Sequence, residues 1–185
     1  MIKKQKPVKP AGGFAPGVPS EAFEKTGQLE EALINLGYEG KPSRGKNLKK
    51  TRELVKFLTG ALRIHEEVEE KVIFPFLKTY LPKLEAVIHL LEAEHEDFKK
   101  HLGEFRAQVK GLGNGKSPVR REKAVAQIRQ TGIYLVYFLR HHLRAGHESI
   151  YKVIERDLRA DEKRRLAGQV AKRLKSLSGN RKKVF

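Results

Sequence analysis

Apolar residues return every three or four positions along most of this 185-residue chain, and nowhere do they alternate as in a half-buried strand. Ser20 is placed to cap a first helix on which Phe23, Thr26, Glu30, Leu33 and Gly37 recur, beside Leu29 and Leu36. Gly37 to Gly45, with Pro42, reads as a loop. The spacing then predicts a long helix from about Asn47 to Tyr80, with a buried stripe of Leu54, Phe57, Leu58, Ala61, Leu62, His65, Glu69, Val72 and Phe76. Pro75 interrupts that helix or ends it early, because proline lacks a backbone donor and clashes with the preceding turn. A third helix opens at Pro82 and carries Ile88, Leu91, His95, Phe98, Leu102 and Phe105 on one face, before the loop Gly111–Pro118. The fourth starts near Pro118 and carries Ile128, Leu135, Phe138, Leu139, His142 and Ile150. Asp161 is expected to cap a short terminal helix reaching about Leu177. The pattern predicts an all-α fold, an antiparallel up-and-down four-helix bundle with a short extra C-terminal helix. Residues 1–19 read as a disordered basic, Pro- and Gly-rich arm, residues 20–177 as the bundle, and residues 178–185 as a flexible basic tail.

What changes this picture is the identity of the polar residues that interrupt the apolar stripes. His65 and Glu69 stand four apart, so imidazole and carboxylate stack on one helical face and can point at the same ion. Nitrogen and oxygen donors together suit iron, manganese or zinc better than magnesium or calcium. His95 and His142 take corresponding places on two further helices. His89 and His101 lie six residues either side of His95, about 120° off its face, and His141 is one residue out of phase with His142; these read as surface residues. A single histidine on an apolar face is commonly a hydrogen-bonded core residue. Three of them on three helices, with Glu69, are costly to bury unless they are paired or hold a metal.

Composition narrows the chemistry further. With no cysteine, the chain has no disulfide, thiolate metal site, iron–sulfur cluster or cysteine nucleophile. No apolar run approaches the roughly 20 residues of a membrane span, no secretory signal is evident, and a cytoplasmic location is expected. The formal charge of +17 is unevenly spread. Residues 65–97 are dominated by acids, and the excess bases lie in the flanks, in 41–56, in 99–123 and after 156. Such a surface is solubilising, and it could also attract nucleic acid, anionic lipid or an acidic protein.

Taken together, these motifs resemble the hemerythrin-like, HHE cation-binding domains over about residues 20–170. The most specific part is His65-x3-Glu69-Glu70 followed by Ile73-Phe74-Pro75. Glu94-His95 with Phe98, Leu102 and Phe105 resembles the third helix of that family. His142, Ile150 and Tyr151 repeat the spacing from histidine to aromatic, and Asp157 to Leu166 resembles the segment that closes the fold. The resemblance implies a non-haem di-iron centre held by histidines and bridging carboxylates. It also implies a protein that carries or senses oxygen, handles nitric oxide or peroxide, or reports iron levels.

Two of the implied ligands are absent. Thr26 stands where the first helix should supply a histidine, with Glu30 one turn later as a substitute. On the fourth helix, Gly146 occupies the i+4 position after His142, and His147 stands at i+5, where animal hemerythrins carry an aspartate; Glu148 flanks it. The expected ligand set is therefore His65, Glu69, His95, His142 and His147, holding one or two irons, with manganese or zinc as alternatives. Glu66 and the tyrosines Tyr134, Tyr137 and Tyr151 are further candidates, for which an exposed-acid role and ordinary aromatic packing are the readings preferred. The leading expectation is a small gaseous or peroxide ligand at the metal, with peroxide or nitric oxide consumption as an open enzymatic role. The alternative is a degenerate bundle that uses its basic surface to bind an anionic partner.

Overall fold

A computed structural model describes residues 20–38, 41–112 and 117–181. The predicted arm over 1–19, the centre of the glycine-rich loop and the last four residues of the tail lie outside the described residues. Among the described residues there is no strand, and nearly all are helical. The elements are α1 (Ser20–Tyr38), α2 (Lys41–Val68), a π-helical turn Glu69–Ile73, α3 (Phe74–Tyr80), a 3₁₀ turn Pro82–Leu84, α4 (Glu85–Gly111), α5 (Pro118–Gly146), a second π-helical turn His147–Tyr151, α6 (Lys152–Asp157) and α7 (Ala160–Arg181).

Several boundaries depart from expectation for local reasons. The loop expected over 37–45 is shorter, because Pro42 sits in the first turn of α2, where a missing backbone donor costs nothing. Pro75 does not stop the second helix. The preceding turn widens, the Phe74 N–H bonding to the Glu69 carbonyl, and Pro75 falls in the first turn of α3. The terminal helix is long rather than short and runs through residues expected to belong to the tail. At its start Glu162, rather than Asp161, accepts the backbone N–H of Arg159 at 2.9 Å.

α1 packs against α2 and α5, α4 against α5 and α2, and α7 against α2 and the first π turn. Two apolar clusters result. One joins Leu33, Leu58, Phe105, Ile128 and Leu139 with their neighbours, and the other joins Ile73, Phe74, Ile88, Ile154 and Leu166 with theirs. Each fully buried side chain of this kind contributes roughly 1.5–3 kcal/mol. Gly132 lets α5 approach closely: a Cβ there would stand 2.6 Å from Leu33 Cδ1 and 2.8 Å from the Phe105 ring.

The seam between the clusters falls at the same level on three helical runs. Leu62 belongs to the first cluster and Val68 to the second; so it is with Phe98 and Leu91, and with Leu139 and Ile150. His65, His95 and His142 lie in those three intervals. The sequence therefore folds into two apolar halves with a polar layer between them.

Candidate metal centre

His65 comes from the last turn of α2 and Glu69 opens the π turn that follows it; His95 is on α4 and His142 on α5. All four are buried, and one donor atom from each lies within 4.8 Å of the others. Glu69 Oε2 is 3.3 Å from His65 Nε2 and 3.3 Å from His95 Nε2, while His95 Nε2 and His142 Nε2 are 3.2 Å apart.

The orientation of the rings explains what these atoms can do. His95 Nδ1 is 3.0 Å from Glu70 Oε1, and His142 Nδ1 is 2.8 Å from Glu94 Oε2. Each carboxylate accepts the Nδ1 proton, so each Nε2 turns a lone pair towards the centre. The Tyr151 hydroxyl donates to Glu69 Oε1 at 2.7 Å and leaves Oε2 facing the histidines. Both His65 nitrogens and Glu69 Oε2 are buried with no hydrogen-bond partner. Buried polar atoms left unpaired in this way are costly unless a cation or a proton joins them. Three imidazole nitrogens and one carboxylate oxygen are the donor chemistry of a transition metal.

The electrostatics follow from the same geometry. Burial works against the Glu69 charge, but His65, His95 and the Tyr151 phenol outweigh it and hold the carboxyl at about 2. Burial lowers His65, with Glu69 opposing. It lowers His142 as well, aided by His95 and opposed by Glu94. Burial also works against a charge on His95, yet Glu69, Glu66 and Glu70 raise it above the usual imidazole value. Tyr151 is pushed well up by burial and by Glu69, which keeps the phenol protonated as a donor.

The hemerythrin HHE cation binding domain, as a family model, matches residues 21–145. The chain belongs to the hemerythrin family. No curated protein matches it. The family match ends just before Gly146 and His147, the stretch in which the fourth-helix ligand was expected. His147 is not brought to the cluster: its side chain is 47% exposed and its Nδ1 lies 3.4 Å from Glu148. The reason is phase. Five residues of α-helix turn through about 500° and carry a side chain some 140° away from its starting face; the π turn begins at His147, too late to bring it back.

The first-helix position is also closed. Thr26 is fully buried, donates to the Phe23 carbonyl at 2.7 Å and accepts from Arg140 Nε at 3.1 Å. Glu30 pairs with Arg140 Nη1 at 2.7 Å, so it does not serve the cluster. Glu66 is buried, but it faces Lys99 at 3.7 Å. Tyr134 and Tyr137 are exposed.

Tyr151 reaches the cluster, a contact that ordinary aromatic packing does not anticipate. In an unbroken α-helix it would lie about 180° from His142, and the wide turn His147–Tyr151 brings it round to Glu69. A signal was present in the spacing: Phe74 follows His65 by the same interval as Tyr151 follows His142. Both aromatics close the site, since Phe74 stacks on His95 with ring centroids 6.0 Å apart.

Proposed function

We propose that this hemerythrin-family chain is a non-haem metalloprotein that holds a single iron ion through His65, Glu69, His95 and His142, and that this ion binds or senses oxygen, nitric oxide or peroxide. The observation that carries the reading is the convergence, within 4.8 Å of one another, of one possible ligand atom from each of four buried side chains, with Glu69 Oε2 and both His65 nitrogens left without a hydrogen-bond partner. Iron supplies redox chemistry and an open coordination position for a small exogenous molecule when bound. The chain's own residues do the rest. Glu70 and Glu94 fix the tautomers and directions of His95 and His142. Tyr151 holds one Glu69 oxygen and frees the other. Phe74 and the apolar clusters on both sides limit water.

One ion rather than two is supported by Arg140, which neutralises Glu30 and occupies Thr26. Space remains on the fourth helix, where nothing lies within 4 Å of a Cβ built on buried Gly146. Short connections between successive long helices support an antiparallel up-and-down arrangement of α1, α2, α4 and α5. Family membership supports a cytoplasmic location. Anaerobic reconstitution with ferrous iron, followed by metal analysis and optical spectroscopy, tests the reading. One iron per chain, with spectral changes on adding nitric oxide, is expected. Failure to retain iron, or retention of two, overturns it.

A second reading is favoured by α7, where Arg164, Lys172 and Lys175 are exposed and fall on one helical face. These cations suit an anionic polymer. DNA retention that falls steeply with salt supports that reading, and unchanged mobility with DNA at low salt removes it.

A further inference from the structure

α2 and α4 leave a groove of about 340 Å³ between them, beside the histidine cluster. Its floor is apolar, made by Leu62, Phe98 and Leu102, and three cations stand over it, Arg63, Lys99 and Arg106. Lys99 is already committed, at 2.8 Å from Glu96, 3.4 Å from Glu70 and 3.7 Å from Glu66, the one acid in the lining. Arg63 and Arg106 have no hydrogen-bond or ion-pair partner among the described residues. The wall is also left open at Gly103: no atom lies within 4 Å of a Cβ built there, although an exposed glycine inside a helix costs about 1 kcal/mol relative to alanine.

We propose that this groove binds a small organic carboxylate with a short apolar body, its head on Arg63 and Arg106 and its body on Leu62, Phe98 and Leu102. Guanidinium groups match a carboxylate in a planar, two-point manner. With Lys99 balanced by its acids, the two arginines supply the remaining charge, and Glu66 at the inner end disfavours a dianion such as phosphate. The volume lies in the range of small-molecule sites. The groove is also joined to the histidine cluster. Lys99 holds Glu70 Oε1, which is 3.0 Å from His95 Nδ1. A carboxylate held beside Lys99 changes the field on the Lys99–Glu70 pair and through it on His95, so groove and cluster influence each other reciprocally. This linkage rests on the proposed iron site; the binding itself does not.

Hexanoate titrated calorimetrically into the full chain, both as purified and after chelation, tests the assignment, with inorganic phosphate and chloride at matched ionic strength as comparison arms. Saturable hexanoate binding is expected in both preparations, weakened at least about tenfold, or 1.4 kcal/mol, by the double substitution Arg63→Gln/Arg106→Gln and by Gly103→Phe, which fills the opening. Circular dichroism identifies a variant that has lost its fold, and the other variant then decides. Phosphate binding as tightly as hexanoate overturns the assignment, and so does hexanoate binding unchanged in a folded variant. In the iron-loaded protein hexanoate is expected to shift the iron dissociation constant severalfold, and Lys99→Gln to remove that shift. Equal iron affinity with and without hexanoate overturns the linkage. Failure to retain iron overturns the metal reading and leaves the groove to be judged on the chelated protein.

Discussion

Two polar groups of this bundle, a half-buried one around Arg140 and a buried one around Glu69, solve the burial problem in opposite ways. Around Arg140, a guanidinium meets Glu30 and Thr26, so donor and acceptors are matched by the chain itself. Around Glu69, three imidazoles and a carboxylate turn towards one another, and Glu69 Oε2 and both His65 nitrogens are left without a hydrogen-bond partner. The difference teaches where an outside cation is needed. On the proposed reading, a guanidinium in the first group does electrostatically what a metal ion would do in the second. The carboxylates Glu70 and Glu94 and the phenol of Tyr151 serve to keep the second group unmatched, since each takes up the hydrogen bond that would otherwise be made across the centre.

The comparison breaks most completely at Glu69. Glu69→Gln keeps the shape of the side chain but removes its charge and puts an amide donor among the acceptors. Iron affinity is expected to fall by more than about 100-fold, beyond the 10- to 100-fold typical of supporting residues, as measured by competition with a chelator. Glu69→Gln binding iron as tightly as the parent chain would falsify the assignment of this carboxylate as a ligand. Tyr151→Phe is the milder form of the same test. It leaves Oε1 without its donor while retaining the ring, and about a tenfold loss of iron affinity is expected. An unchanged affinity would reduce Tyr151 to packing.

Arg140→Met sharpens the comparison from the other side. It strands half-buried Glu30 and removes the donor to buried Thr26, so stability should fall by about 1–3 kcal/mol in denaturant unfolding. Iron content should remain at one per chain, because no ligand has been touched. A loss of iron in a folded Arg140→Met protein would show that the two groups are not independent.

Acidification separates them as well. Glu69 has its folded pKa depressed to about 2 from 4.5, so its contribution is present above about 4.5 and lost as pH falls towards 2. His65 and His142 are also depressed, so their neutral forms favour the fold and stability declines as pH drops below 6.5. His95, being raised, acts in the opposite sense: its contribution is complete below 6.5 and is lost as pH climbs through its folded value. Glu66, raised by burial, acts in the same sense as His95, so the share of the depressed pair is read by removing it: the metal-free His65→Gln/His142→Gln protein should lose less melting temperature between pH 7 and pH 5 than the parent chain. An equal loss in the two proteins would mean that these histidines do not carry the acid sensitivity.

The helical periods made the fold class, the long helices and the inward face of His65, Glu69, His95 and His142 legible in the sequence, because each is a matter of phase along regular α-helix. What the sequence did not disclose lies where that phase changes. The wide turns Glu69–Ile73 and His147–Tyr151 each insert a residue's worth of rotation, and no propensity marks such a turn. Tyr151 was therefore placed among the ordinary core aromatics, and Pro75 was expected to break a helix that the wide turn preserves. Arg140 was invisible for another reason: its role depends on Thr26 and Glu30, more than a hundred residues away in the chain, and pairwise contacts at that range leave no local pattern.

The smallest effect is expected at His147, and it is the most exacting test of the phase argument. His147→Ala removes a half-exposed imidazole whose neighbour is Glu148. It opens the second π turn rather than following it, so regular α-helical rotation from His142 directs it away from the centre. Iron content and affinity should change by less than about twofold, the scale of surface substitutions within ±0.5 kcal/mol, and the optical spectrum should be superimposable on that of the parent protein. A clear loss of iron on His147→Ala, with the helix content unchanged, would mean that the wide turn shifts towards His142 when the metal binds. In that event the fourth helix would supply a second ligand after all, and the contrast between a matched and an unmatched polar group would have to be redrawn around a five-ligand site.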